Sequence, residues 1–168
     1  MKTLLLAYIV AVCMQHASAV GPPYNYTVHR YWELSKAVDA CEHKNCTIHI
    51  DKVQLKFPAE VTLRSGNITI IGIRQPNGEY PMLNGQDKGR LFTVSKLATA
   101  SFERLTLKKG KADVGGALKI LGKVKYIRNC TFEGNQAEIV SYCSLHPECT
   151  LPESLCFWKF HDFLRVSH

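Results

Sequence analysis

Residues 111 to 137 read KADVGGALKILGKVKYIRNCTFEGNQA, and this stretch decides how the chain folds. It holds a Gly-Gly-Ala step, a short strand pattern, then Asn129-Cys-Thr-Phe followed by Gly-Asn-x-Ala, and part of it has occurred once before. A shift of 25 residues lays FERLTLKKGKA (Phe102 to Ala112) on IRNCTFEGNQA (Ile127 to Ala137). Phe102 then meets Ile127, Leu105 meets Cys130, Thr106 meets Thr131, Leu107 meets Phe132 and Ala112 meets Ala137, so apolar residues meet apolar residues. A looser copy sets Ile70 and Ile73 under Phe102 and Leu105 at a spacing of 32, because the loop RQPNGEYPMLNG intervenes. A period in the twenties with several short strands per unit predicts a solenoid.

In a β-solenoid each coil hydrogen-bonds to the coils above and below while alternate side chains stack inside as columns. Leu105, Leu107, Cys130 and Phe132 are expected to point inward, with Ile120 and Ile127, and Thr106 and Thr131 outward. Gly115 and Gly116 supply a corner where a Cβ would obstruct the turn. Gly110 and Asn135 are expected at equivalent corners, both tolerating left-handed backbone. A β-sandwich with accidental self-similarity is the alternative, since short, evenly spaced strands also suit sandwiches.

Working outward, Tyr26 to Lys44 reads as a helix starting near Thr27, with Trp32 or Leu34, Ala37, Val38 and Cys41 on one face. Strands are predicted at Thr47–Ile50, Val61–Leu63, Ile68–Ile73, Leu91–Val94, Ser101–Leu107, Ala117–Leu121 and Lys125–Phe132. The fold class is therefore all-β: a short right-handed parallel β-helix with an N-terminal capping helix. Residues 1–19 read as a signal peptide, 20–45 as the cap segment, 46–137 as the coils and 138–168 as a cysteine-containing tail or cap.

The Gly115-Gly116-Ala117-Leu118 and Phe132-Glu133-Gly134-Asn135 segments resemble the Gly-Gly-Ala-Ile and Phe-x-x-Asn motifs of right-handed parallel β-helix proteins of the pectin-lyase-like superfamily. In particular they look like the repeats of chlamydial-type polymorphic outer membrane proteins. WELSKAVDACEHKNCTIHI is similar to the N-terminal cap of that fold. The likeness spans about Tyr31 to Ala137 and is specific for architecture rather than activity.

The compartment is read from the N-terminus. Lys2, the apolar run Leu4 to Val12, and Ala17 and Ala19 before Val20 form a secretory signal whose apolar run is too short to span a membrane. No later segment has the ~20 apolar residues of a spanning helix, so no membrane span is expected. Asn25, Asn45, Asn67 and Asn129 each open an Asn-x-Thr glycosylation tripeptide. Without Cys13 the mature chain keeps six cysteines, which suggests disulfides and permits 15 connectivities. Cys41 with Cys46 and Cys143 with Cys149 would close short loops, leaving Cys130 and Cys156 free or paired to each other. Repeated Cys-x-x-Cys pairs are missing, so no metal site is expected.

No catalytic residue is assigned, and no cofactor is expected. The polysaccharide lyases of the resembled superfamily use clustered acidic Ca²⁺ ligands, whereas Glu103, Asp113 and Glu133 share no column under the 25-residue shift. A lyase, hydrolase or degenerate remnant stays as one alternative reading, and a structural fragment of a longer repeat protein as another. Charge is the functional signal: from Lys88 to Arg128 there are eleven basic residues against Glu103 and Asp113. Lys108, Lys109, Lys119, Lys123, Lys125 and Arg128 are the candidate basic strip for an acidic polysaccharide or cell-surface glycan. Nucleic acid is not expected, for want of interleaved aromatics. Lysines that merely keep a sheet from pairing edge to edge are the plainer explanation of the same charges. The sequence carries nothing on oligomeric state, and the expected location is extracellular.

Overall fold

Phe102 pairs with Ile127, Thr106 with Thr131, Leu107 with Phe132 and Ala112 with Ala137 in a computed structural model that describes residues 24–139. The 25-residue self-match is thus the rise of one coil. In chain order the elements are β1 (Tyr24–Val28), α1 (Tyr31–Ala40), β2 (Asn45–Ile50), β3 (Gln54–Lys56), β4 (Val61–Gly72), β5 (Met82–Asn84), β6 (Phe92–Glu103), β7 (Thr106–Lys108), β8 (Lys111–Val114), β9 (Leu118–Ile120), β10 (Lys123–Arg128), β11 (Thr131–Glu133) and β12 (Gln136–Ile139). A first sheet stacks β1-β2-β4-β6-β10, with β9 also on β6; a second stacks β3-β5-β7-β11; a third pairs β8 with β12. All these pairings are parallel, so the described chain is a parallel β-solenoid.

Register builds the core. Cys46, Ile68 and Ala100 form one buried column, Ile48, Ile70 and Phe102 another, and Leu55, Leu83 and Leu107 a third on the second sheet. Each fully buried aliphatic side chain contributes about 1.5–3 kcal/mol of transfer free energy. An aromatic spine crosses the coils: Tyr31, Phe57, Phe92 and Phe102 have successive ring centroids 5.3, 5.4 and 5.4 Å apart, two of the contacts edge-on. Tyr31 belongs to α1, so the spine fastens the helix to the coils.

The corners are set by close backbone approach. Gly115 has φ of 62°, and a Cβ on Gly116 would collide with the carbonyls of Gln136 and Gly110. Gly110 is held reciprocally, since a Cβ there would meet the Gly116 carbonyl. The neighbouring corner differs from expectation by one residue: the left-handed positions are Lys109 (φ 51°) and Gly134 (φ 57°), not Gly110 and Asn135. Asn135 instead bridges coils, its Oδ1 accepting from the Gly110 N–H at 2.8 Å while its Nδ2 donates to the Leu107 carbonyl at 2.9 Å.

Other expectations need correction. The residues read as the helix start, Tyr26 to Val28, belong to β1 instead, because Tyr-Asn-Tyr-Thr-Val (Tyr24–Val28) is rich in strand formers and pairs along Cys46–Ile50. The helix is shorter, Tyr31–Ala40, and its Glu33 carboxylate accepts from the His29 N–H at 2.7 Å. Leu34, Ala37 and Val38 face the core, whereas Trp32 is half exposed under the Lys36 ammonium. Ile73 does not lie under Leu105; it is exposed, because residues 74–80 loop out and the stack resumes with Met82 beneath Thr106, whose N–H donates to the Pro81 carbonyl. Of the expected interior residues, Leu105 and Leu107 are fully buried, while Ile120, Ile127 and Phe132 are half-buried on the uppermost described coil. Cys41 and Cys46 form the expected disulfide, their Cα atoms 5.9 Å apart. The expected signal peptide at 1–19, Cys143 with Cys149, Cys156 and the tail beyond residue 139 lie outside the described residues.

Candidate functional site on the upper coils

Successive residues of a strand point to opposite faces, so the residues between the core positions of the first sheet lie on its outer face, where Thr93 and Ser101 are themselves covered. There, parallel register turns them into ladders whose rungs are about 4.8 Å apart. One ladder runs Thr62, Thr93, Lys119. The next runs Asn45, Asn67, Thr99, Lys123. A third runs Thr27, His49, Ile71, Glu103, Arg128, and the one beside it runs Asn25, Thr47, Thr69, Ser101, Tyr126. Three of the four ladders end in a cation on the top rung. Lys125 joins them from a bulge between Val124 and Tyr126, where the extra residue stands outside the ladder pairing and is exposed.

The charge of the molecule is graded along its axis. Residues 24–87 carry seven Lys or Arg and seven Asp or Glu, whereas residues 88–139 carry eleven against four. Part of that excess has structural work. Arg90, only 13% exposed at its side chain, binds the Glu60 carboxylate at 2.7 Å and donates to the Val114 carbonyl at 2.6 Å and the Gly115 carbonyl at 2.9 Å. Its guanidinium therefore ties three successive coils. Along the sequence Arg90 is one charge among eleven, and nothing in its neighbours marks it, since all its partners are 24 to 30 residues away except Thr93. Arg104 pairs with Glu103 at 3.4 Å. Arg128 stacks on the Tyr126 ring, 4.6 Å from its centroid, and forms no ion pair within the described residues.

The six candidate basic residues are divided by the fold. Lys119, Lys123 and Arg128 share the outer face of the first sheet with Lys125 beside them. Lys108 belongs to the second sheet, over Asn84 and under Glu133, and Lys109 occupies the exposed left-handed corner that follows. The charges are therefore a four-residue cluster and a separate pair.

The carboxylates named in sequence reading are further apart still: Glu103 is on the first sheet, Glu133 on the second and Asp113 on the third. Among the described residues no three His, Cys, Asp or Glu side chains converge on a metal-sized site, and no helix is long and apolar enough to cross a membrane. A crevice of about 120 Å³ between α1 and β4 is lined by Ser35, Asp39, Glu60, Thr62 and Arg64, but Arg64 is engaged with Asp39 at 3.3 Å and Glu60 with Arg90. Cys130 forms no disulfide within the described residues; burial pushes its thiol up to about 11, with the Glu103 charge adding a little, so it carries a proton at neutral pH. Its Sγ donates to the Arg128 carbonyl at 3.3 Å.

The four glycosylation tripeptides fall in different settings. Asn25 is exposed on β1 and Asn129 exposed at a left-handed corner with φ of 50°. Asn45 and Asn67 are directly paired on adjacent rungs. Compared with protein-family models, curated proteins and solved structures, the chain matches none of them.

Proposed function

We propose that the protein is an exported β-solenoid binding module that holds acidic polysaccharide at a cell surface or in a matrix. Its upper coils are read as relatives of the pectin-lyase-like repeats resembled by Gly115-Gly116-Ala117-Leu118 and Phe132-Glu133-Gly134-Asn135. The observation that carries the proposal is the cationic top rung, where Lys119, Lys123 and Arg128 end separate outward ladders beside Lys125. Cations on neighbouring ladders of a rigid sheet present fixed spacing to a polymer of repeating acidic units, which favours multivalent attachment. Arg128 over Tyr126 adds a planar donor beside an aromatic edge, suited to a carboxylate or sulfate on a sugar ring.

The test is binding of the mature chain to an array of uronic-acid and sulfated glycans, with a parallel assay for uronide release. Binding should weaken steeply with salt, because exposed charges are screened over ~8 Å at physiological ionic strength. The double charge reversal Lys119→Glu/Lys125→Glu should lower affinity by about tenfold or more, whereas Lys108→Glu/Lys109→Glu, on the other sheet, should change it little. Equal losses from the two pairs would refute this face as the site. Release of unsaturated uronides would replace binding with catalysis.

A further inference from the structure

We infer that N-linked glycan is carried at Asn25 and Asn129 and excluded at Asn67, so that the Asn-x-Thr tripeptide of that middle coil is a structural rung rather than an acceptor. The inference rests on the export proposed above. A glycan needs its asparagine amide in solvent with room around it. Asn25 and Asn129 are exposed, and neither makes a side-chain hydrogen bond within the described residues. Asn129 also occupies a left-handed corner, which turns the backbone away from the strands on either side.

Asn67 is only half-exposed, against the exposed Asn25 and Asn129. Its Oδ1 is fully withdrawn from solvent without a hydrogen-bond partner, and its backbone N–H donates to the Lys44 carbonyl at 2.8 Å. Gly66 beside it lies so close under the Cys41–Cys46 loop that a Cβ would meet the Lys44 and Cys41 carbonyls. Asn45 stands one rung below, about 4.8 Å away. The tripeptides of these two rungs are in register throughout: Asn45 on Asn67, Cys46 on Ile68, Thr47 on Thr69. With Cys46 and Ile68 buried, the Asn and Thr of each must face outward together, so the motif is what a coil repeat produces here. A chain modified at Asn67 before folding could not close this coil, and folded, secreted molecules are those bare at this position.

The experiment is expression of the full chain in a eukaryotic secretory cell line, enzymatic deglycosylation of the secreted protein in ¹⁸O-water, and mass mapping of all four sites. Occupancy at Asn67 should fall at least roughly tenfold below that at Asn25 and Asn129, the ratio expected where seating a glycan on the Asn67 Nδ2 against the paired Asn45 rung costs about 1.4 kcal/mol. Asn25→Gln and Asn129→Gln should each shift gel mobility by one glycan, and Asn67→Gln should not. Occupancy of Asn67 equal to that of Asn25, in secreted folded protein, overturns the inference while leaving export intact. Retention of the unmodified chain inside the cell overturns both, and the mapping of wild-type protein keeps the result independent of whether a variant folds.

Discussion

Arg90 shows how much of this molecule is decided by single side chains far apart in sequence. Its guanidinium holds Glu60 from one coil and the carbonyls of Val114 and Gly115 from another, so deleting it leaves a carboxylate and two carbonyls without their donor. Arg90→Ala should lower stability by about 2–3 kcal/mol, below the cost of breaking a fully buried pair because Glu60 remains partly in water. Urea unfolding of the variant measures it, and Arg90→Lys should recover little, since an ammonium cannot fork between these acceptors. Cys130 supplies a second prediction at this scale. The free thiol ordinarily titrates near 9.0 and is held up to about 11 in the fold. Alkylation should be slow at neutral pH and keep accelerating toward pH 11, whereas the denatured chain should level off about two units earlier. The same shift means that the group's stabilising contribution is intact below about pH 9 and is lost as the pH rises through 11. Alkylation that saturates at the same pH in folded and denatured protein would remove the burial argument.

Elements were legible in the sequence where the coils repeat at constant length. From Phe102 to Ala137 the 25-residue match gave the register residue by residue, and Ile70 under Phe102 carried it one coil lower. Lower down, coil length varies: Asn45 pairs with Asn67 but Val61 pairs with Phe92. A fixed shift cannot find such partners, although NCTI at Asn45 and NITI at Asn67 carry a local repeat that coincides with two glycosylation tripeptides. The three-residue strands β3 and β5 offered one inward leucine each, too little for alternation to show. The candidate site was legible as charge but not as arrangement, because whether Lys108 and Lys119 share a face depends on which sheet each strand joins. The aromatic spine was likewise invisible, since Tyr31, Phe57, Phe92 and Phe102 have no common spacing. Phe92→Ala at its centre should cost about 3–5 kcal/mol, through lost burial and an unfilled cavity. Phe132→Ala should cost only about 1–2 kcal/mol, because that ring is half-buried. Equal costs would contradict the burial gradient between the two coils. Gly116→Ala tests the corner: its Cβ has rigid backbone on both sides, so the variant should lose more than the ~1 kcal/mol that a compatible Gly→Ala change can gain.

At the scale of the whole molecule, a solenoid is a stack in which each coil touches only its neighbours, and stability becomes a sum of coil and interface terms. The interior rungs β2, β4 and β6 have partners on both sides and buried columns through Ile48, Ile70 and Phe102. On the uppermost described coil Val124, Ile127 and Phe132 are only partly buried against the core, and β10 holds a register irregularity that interrupts its ladder. Fewer buried contacts per residue make local opening less costly there than in the middle. That same coil carries the cationic rung, so among the described residues the surface proposed to bind a polymer is less buried than the middle of the stack. Native-state hydrogen exchange should therefore show a gradient: amides in 61–72 and 92–103 exchanging only through global unfolding, and those in 123–139 exchanging first. A bound acidic polysaccharide should slow exchange in 123–128 selectively, because ligand that binds only the closed coil stabilises it by mass action. Uniform protection along the axis would mean that the coils unfold as a single unit, and protection gained in 54–56 rather than 123–128 would move the ligand to the second sheet.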